Sequence, residues 1–237
     1  MAEAIIKLEN VWKKFRLAGE DLPILKGINL EIMPGSFVTI MGPSGSGKST
    51  LMYLLGLLDT PSDGKIFLDG KDVSGFSEDR LAQFRGKKIG FIFQQFNLLQ
   101  NLSALENVML PMIFQGVSER QRLEKARMLL DSVNLEHRMN HKPKEMSGGE
   151  QQRIAIARSL VNDPEILIGD EPTGNLDSST GKTVMEILTK LHKEQNKTII
   201  VVTHDPNIAS YSQNIIHIQD GQITSNHFQD KEVLWAK

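Results

Sequence analysis

Cysteine is absent from all 237 residues, which excludes disulfides and thiolate metal sites and fits a reducing compartment. A basic excess is missing too. With 27 Lys+Arg against 29 Asp+Glu the formal net charge is −2, so no nucleic-acid partner is expected, since that needs a strongly basic face. Long apolar stretches are lacking: runs such as Ile199-Ile200-Val201-Val202 fall far short of the ~20 residues that span a bilayer. The opening Met1-Ala2-Glu3-Ala4-Ile5-Ile6-Lys7 has neither a basic n-region nor an apolar h-region, so no secretory signal is expected. These absences predict a soluble chain with no direct membrane insertion, whose membrane role, if it has one, comes through a partner. What remains is 40% hydrophobic and 24% charged, an ordinary globular composition. The length suffices to bury a good core as one large domain or a domain with a substantial insertion.

Hydrophobic periodicity divides the chain. Ile5 to Phe15 alternates as a half-buried strand does, and Pro34-Gly35 marks a turn. Phe37 to Met41 is a short strand-type run, and Ser49 to Leu58 an apolar helix. Lys65–Leu68 and Ile89–Phe93 read as strands, the first closed by the turn Asp69-Gly70. From about Asn97 to Leu160 the texture becomes helical. Ser118-Glu119-Arg120-Gln121 has the form of a capping box ahead of Leu123, Ala126, Leu129, Leu130 and Val133. Strands return at Glu165–Gly169, Thr198–Val202 and Ile215–Ile218, with a helix from about Ser179 to Glu194 and a hairpin turn at Asp220-Gly221. Strand–helix alternation interrupted by helices predicts an α/β fold: a parallel-sheet core carrying an inserted α-helical subdomain.

Three motifs carry chemistry. Gly42-Pro43-Ser44-Gly45-Ser46-Gly47-Lys48-Ser49, followed by Thr50, matches the phosphate-binding pattern G-x-x-x-x-G-K-[ST]. Its glycines let backbone N–H groups surround phosphate oxygens at the positive end of the next helix. Lys48 would reach the β- and γ-phosphates of ATP, and the Ser49 hydroxyl would ligate Mg²⁺. A chance glycine-rich turn is the rival, but average residue usage produces the pattern in only roughly one chain of this length per hundred. Ile166 to Glu171 is an apolar strand ending in two acids. Asp170 is placed to hold Mg²⁺ through its water shell, and Glu171 to polarise an attacking water. Alone, the pair would be a solvated acidic exit from a strand; the upstream cradle argues for the metal and base roles.

Ser147-Gly148-Gly149-Glu150 fits a second capping box, before a helix through Ile154, Ala157 and Val161. Two glycines strip this helix start of bulk, which suits an anion. A plain capped helix with a flexible start explains the same residues equally well, and at this level both readings stand.

In this order, the phosphate loop, Gln94, Ser147-Gly148-Gly149, Asp170-Glu171, Asn175-Leu176-Asp177 and His204 resemble the nucleotide-binding subunit of an ABC transporter, over roughly residues 5 to 225. The resemblance implies a P-loop NTPase (RecA-like) core with an N-terminal antiparallel β-subdomain: residues 1–96 and 161–225 as core, 97–160 as the helical signature subdomain, 226–237 as a tail. It implies that Ser147, Gly148, Gly149 and Glu150 act on ATP held by a second copy, and that Asp177 couples the two sites across a homodimer. Gln94 corresponds to the glutamine that touches Mg²⁺ and the attacking water, and His204 to the histidine at the γ-phosphate. His137, His141, His192, His217 and His227 are expected to be ordinary surface residues. Phe15 is the aromatic expected to stack on adenine, with a core phenylalanine as the alternative and Trp12 as a second candidate. Met146, Glu150 and Gly169 depart from the commonest family residues without removing a required group.

Within the family, Phe93 to Leu99, Ala104 to Val108 and Gly174 to Asp177 resemble the MacB/LolD/FtsE branch. That implies integral membrane permease partners, which hold this cytoplasmic subunit peripherally on the cytoplasmic face of the membrane, and lipoprotein, peptide or drug-like cargo. The same ATP-driven dimer would equally serve a regulatory or mechanical module without transport. Soluble ABC ATPases of translation or repair usually carry two nucleotide domains, long coiled coils or zinc insertions, all missing here. A simple nucleotide kinase leaves Ser147 to Glu150 and His204 without a purpose.

Overall fold

The computed structural model describes residues 3–17 and 19–228. Two sheets share the work. β1 (Ile6–Leu17), β2 (Glu20–Ile32), β4 (Asp63–Leu68) and β5 (Lys71–Asp72) form an antiparallel sheet in the order β2-β1-β4-β5. The second sheet holds β3 (Phe37–Met41), β6 (Ile89–Phe93), β7 (Ile166–Asp170), β8 (Thr198–Val202), β9 (Asn214–Gln219) and β10 (Gln222–Phe228), ordered β10-β9-β3-β8-β7-β6. Its pairings are parallel except the β9–β10 hairpin.

Apolar runs in β3, β7 and β8 follow from burial on both faces, as parallel sheets require. The two-residue side-chain period splits them between two cores. Val38, Ile40, Ile166, Ile168, Ile200 and Val202 face α1 (Lys48–Leu55) and the antiparallel sheet. Phe37, Leu167, Ile199 and Val201 face α5 (Gly148–Leu160) and α6 (Ser178–Gln195). The inserted helices are α3 (Ala104–Ile113), α4 (Glu119–Ser132) and α5, packed on the second core. The remaining helices are α2 (Glu78–Lys88) and the short α7 (Pro206–Ala209). No helix among the described residues is long and apolar enough to cross a membrane.

Several local expectations change. β2 and α2 are elements the periodicity did not reveal. β2 is an edge strand that tolerates Pro23, and α2 buries only Leu81, leaving almost no apolar stripe. α1 ends at Leu55, because Gly56 caps it and Leu57 turns left-handed at φ 54. The box expected at Ser118 does not form, since the Ser118 hydroxyl donates to Gln121 Oε1 at 2.7 Å instead of accepting from the backbone. A box forms instead at Ser103, where the Ser103 N–H donates to Glu106 Oε2 at 2.7 Å and the Glu106 N–H to Ser103 Oγ at 3.2 Å. Residues 226–228 belong to β10 and not to the tail: Asn226, His227 and Phe228 pair with Ile216, Ile215 and Asn214. The rest of the expected tail, 229–237, lies outside the described residues. His192 is half-buried, its ring edge-on to Phe37 with centroids 5.7 Å apart.

Candidate functional site

The cradle sits where β3 hands over to α1. Gly47, the N-cap of α1, holds φ 101, a left-handed conformation that side chains resist. A Cβ there would also meet Leu25 Cδ2 at 2.9 Å. Lys48 Nζ donates to the carbonyls of Gly42 and Pro43, both at 2.8 Å, so the loop's own oxygens hold the ammonium over the cradle.

A cleft of about 820 Å³ opens beside it, lined by Phe15, Ile24, Pro43, Ser44, Gly45, Gly47, Lys48, Ser49, Thr50, Asp170, Glu171, Val202 and His204. Residues from both sheets therefore meet around one hollow, at the carboxyl ends of β3, β7 and β8, where open α/β sheets place ligands. Ser46 is buried beneath the loop and Gly42 sits at its root, so neither lines the cleft. Phe15 is exposed on the wall, with Lys13 Nζ 5.2 Å from its ring centre, which removes the core-phenylalanine alternative. Trp12 lies elsewhere, its indole N–H donating to Asn10 Oδ1.

Burial pushes the Asp170 carboxyl up from its ordinary range; the Glu171 charge adds to this and Lys48 opposes it. Glu171 adopts φ 42, a left-handed strain of about 1–2 kcal/mol for a residue with a side chain. Two bonds hold it there: its N–H donates to the Val202 carbonyl at 2.8 Å, and the Gly174 N–H to its own carbonyl at 3.0 Å. His204 Nδ1–H donates to Glu171 Oε1 at 2.7 Å, joining the ends of β7 and β8.

Gln94 stays outside the cleft wall. Its backbone carbonyl accepts from Asn175 Nδ2 at 2.9 Å and its side-chain Nε2 donates to Asn175 Oδ1 at 3.4 Å, so the Asn175 amide holds both main chain and side chain. Gly174 allows this, because a Cβ there would lie 2.8 Å from Gln94 Nε2 and 3.2 Å from Glu171 Oε2. Sequence pattern alone gives Gly174 and Asn175 no spatial role. Ile24 was missed because β2 was not legible as a strand.

The helix start at Ser147 forms the capping box it spells. The Ser147 N–H donates to Glu150 Oε2 at 2.8 Å, the Glu150 N–H donates to Ser147 Oγ at 3.3 Å, and the Ser147 bond holds the Glu150 carboxyl below its usual range. None of Ser147, Gly148, Gly149 and Glu150 lines the cleft. Gly149 has a reason within its own chain: a Cβ would stand 2.2 Å from Thr180 Cγ2 on α6. Asp177 also has one. It caps α6, accepting from the N–H and hydroxyl groups of Ser179 and Thr180, which lowers its carboxyl strongly.

For a divalent cation the cleft offers the Ser49 hydroxyl and the Asp170 carboxylate. No cluster of three His, Cys, Asp or Glu among the described residues could hold a metal. A hard ion that keeps several waters and shares phosphate oxygens needs no more. It would also favour the charged form of Asp170 that burial opposes. The donors fit Mg²⁺.

A profile of the ABC transporter family matches residues 25–174, most of the chain. The chain belongs to the ABC transporter ATP-binding family. An ABC transporter ATP-binding protein of Thermotoga maritima is 48% identical over 219 residues, 92% of this chain and 93% of its own. The macrolide export ATP-binding/permease protein MacB of Campylobacter fetus is 51% identical over 98% of this chain, which spans only 36% of that longer protein. Among solved structures, the dimeric post-hydrolysis cassette MJ0796 of Methanocaldococcus jannaschii, bound to ADP and Pi, superposes with a TM-score of 0.87 at 46% identity, covering 94% of this chain and 98% of its own. This cassette is thus an ABC ATPase, and its two-sheet, helix-inserted architecture is that of its relatives.

Proposed function

We propose that two copies of this chain close head to tail on two Mg-ATP and that the closure and its release drive a membrane permease. One observation carries the proposal: the Ser147 helix start, built like an anion site, lies outside the cleft that holds the cradle and the Glu171–His204 pair. A site completed by a partner copy gives that start a ligand. The dimer described for MJ0796 with ADP and Pi supports this, as that cassette shares nearly all of this chain's length.

ATP enters the cleft with its base against Phe15. Lys48 leaves the Gly42 and Pro43 carbonyls for the β- and γ-phosphates, so the loop gives up two bonds to gain charged ones. A magnesium ion held by Ser49 and Asp170 would neutralise phosphate charge. Glu171 takes a proton from the attacking water, oriented by His204; Gln94, held by Asn175 outside the cleft wall, reaches that water when closure of the two copies moves its loop inward. ADP lacks the γ-phosphate that Ser147, Gly148 and Gly149 of the second copy would hold, so hydrolysis releases the pair. MacB of Campylobacter fetus is an ATP-binding/permease protein, which supports a membrane permease as the partner that holds this chain at the cytoplasmic face and works on lipoprotein, peptide or drug-like cargo.

Glu171→Gln is expected to bind ATP normally and hydrolyse it about 10²–10⁴-fold more slowly, the range a positioned general base contributes. It should elute as a dimer with ATP and as a monomer with ADP in gel filtration. A monomer with ATP at high protein concentration would sink the head-to-tail account.

A further inference from the structure

One buried amide connects the signature helix to both groups assigned to the attacking water. Gln152 lies on α5 and is fully buried. Its Nε2 donates to the Phe93 carbonyl at 3.4 Å and to the Pro172 carbonyl at 2.5 Å. Phe93 directly precedes Gln94, and Pro172 directly follows Glu171. Turning the amide over would set its oxygen against two carbonyl oxygens, so the network fixes which way it points. Gln152 Oε1 has no hydrogen-bond partner among the described residues. A position needing only volume would be filled more favourably by leucine or methionine, which leave no orphaned acceptor. What the amide supplies is its two donors, one to each carbonyl.

The same helix grips the loop again further along. Arg158 donates Nη2 to the Phe96 carbonyl at 2.8 Å and Nη1 to the Asn97 carbonyl at 2.6 Å. With Asn175 on the Gln94 carbonyl, side chains from outside the loop hold the carbonyls of residues 93, 94, 96 and 97. The loop bearing Gln94 therefore has little freedom to move unless α5 moves with it.

We infer that Gln152 is a positioning residue for hydrolysis, setting Gln94 and Glu171 relative to each other and tying both to the helix that begins at Ser147. This rests on the roles proposed above for those two residues. When a partner copy engages the Ser147 helix start, a displacement of α5 reaches both groups through the same amide. Gln152 lines no part of the nucleotide cleft, so its contribution falls on the chemical step and not on binding.

Two variants of the whole chain test this. Gln152→Met keeps the length and removes both donors. Gln152→Glu keeps the shape and donates only when protonated. For each, kcat and KM for ATP, fluorescent-nucleotide affinity and thermal unfolding are measured. The Met variant is expected to lose at least about tenfold in kcat, since misplacement of about 1 Å can cost about a hundredfold. Its nucleotide affinity and cooperative unfolding are retained. The Glu variant is expected to lose kcat relative to the parent as pH rises from about 6 to 8, because the ionised carboxylate repels both carbonyls. A Met variant with the parent's kcat overturns the inference, as does parallel loss of kcat and affinity. Non-cooperative unfolding of both variants overturns it too, making Gln152 a packing residue. Glu171→Gln is the control: if it hydrolyses ATP normally the proposed role of Glu171 fails, whereas a slow Glu171→Gln beside an unimpaired Gln152→Met sinks only the role of Gln152.

Discussion

Gly149→Ala separates the two reasons for a glycine in the signature segment. The added methyl would stand 2.2 Å from Thr180 Cγ2, far inside any carbon–carbon contact, and Thr180 is pinned because its hydroxyl donates to Asp177 Oδ2 at 2.6 Å. Helices α5 and α6 must part to admit it. Overpacking of this kind costs about 1–3 kcal/mol, while alanine regains about 0.5–1 kcal/mol over glycine within a helix. A contact as close as 2.2 Å against a pinned side chain puts the cost at the upper end of that range, so the net loss is about 2–2.5 kcal/mol and lowers the Tm of a chain of this size by about 4–10 °C. Thr180→Ser removes Cγ2 and keeps the hydroxyl; the other close Thr180 atoms, Cβ at 3.6 Å and Oγ1 at 3.7 Å, are at ordinary contact distance. Gly149→Ala/Thr180→Ser is therefore expected to recover most of the loss in thermal unfolding, a coupling of about 1 kcal/mol or more. ATPase assays on the repaired double variant then report the second reason: activity still low means that the bare backbone is needed by a ligand as well as by α6. A single variant as stable as the parent, or a double variant no better than the single, would refute the packing argument.

Lys48→Ala is expected to weaken ATP binding at least about tenfold, as loss of a charge-assisted phosphate contact implies, with little change in nucleotide-free stability; unchanged affinity in a titration contradicts the cradle. Phe15→Ala is expected to raise the ATP Kd by about fivefold or more, stacking on an aromatic being worth about 1–3 kcal/mol per base, while Trp12→Ala leaves it unchanged. Because burial raises the Asp170 carboxyl in the folded chain, the stability it contributes is fully present below its unfolded pKa and lost as pH rises through the folded one. Nucleotide-free Asp170→Asn, which cannot ionise, is expected to melt higher than the parent at pH 7, with the gap closing as pH falls toward the ordinary carboxylate range. A gap independent of pH would refute the desolvation argument.

Much of the core was legible because its signals are local. Thr198–Val202 is wholly apolar and β-branched after Thr198, so it could only be a strand buried on both faces, and the structure gives it the predicted bounds. The glycine loop was readable from spacing, since the residues that shape it are consecutive. β2 and α2 were not. Pro23 and Gly27 interrupt the alternation of an edge strand, and α2 has a single buried residue, so tertiary contacts supply what periodicity lacks. Capping misled at Ser118 for a similar reason: the side chain chose Gln121, a competition that residue type alone does not resolve.

Local pattern alone was enough to specify an α/β nucleotide-binding chain, with Lys48 in a phosphate loop and Asp170-Glu171 at a strand end, because backbone geometry and phosphate chemistry demand those residue types in consecutive order. Long-range packing settled the rest. Phe15 reaches the cleft through a second sheet, Glu171 meets His204 across 33 residues, and Gly149 answers to Thr180 on another helix. Those pairings depend on the distance between side chains in space, which spacing along the chain does not encode.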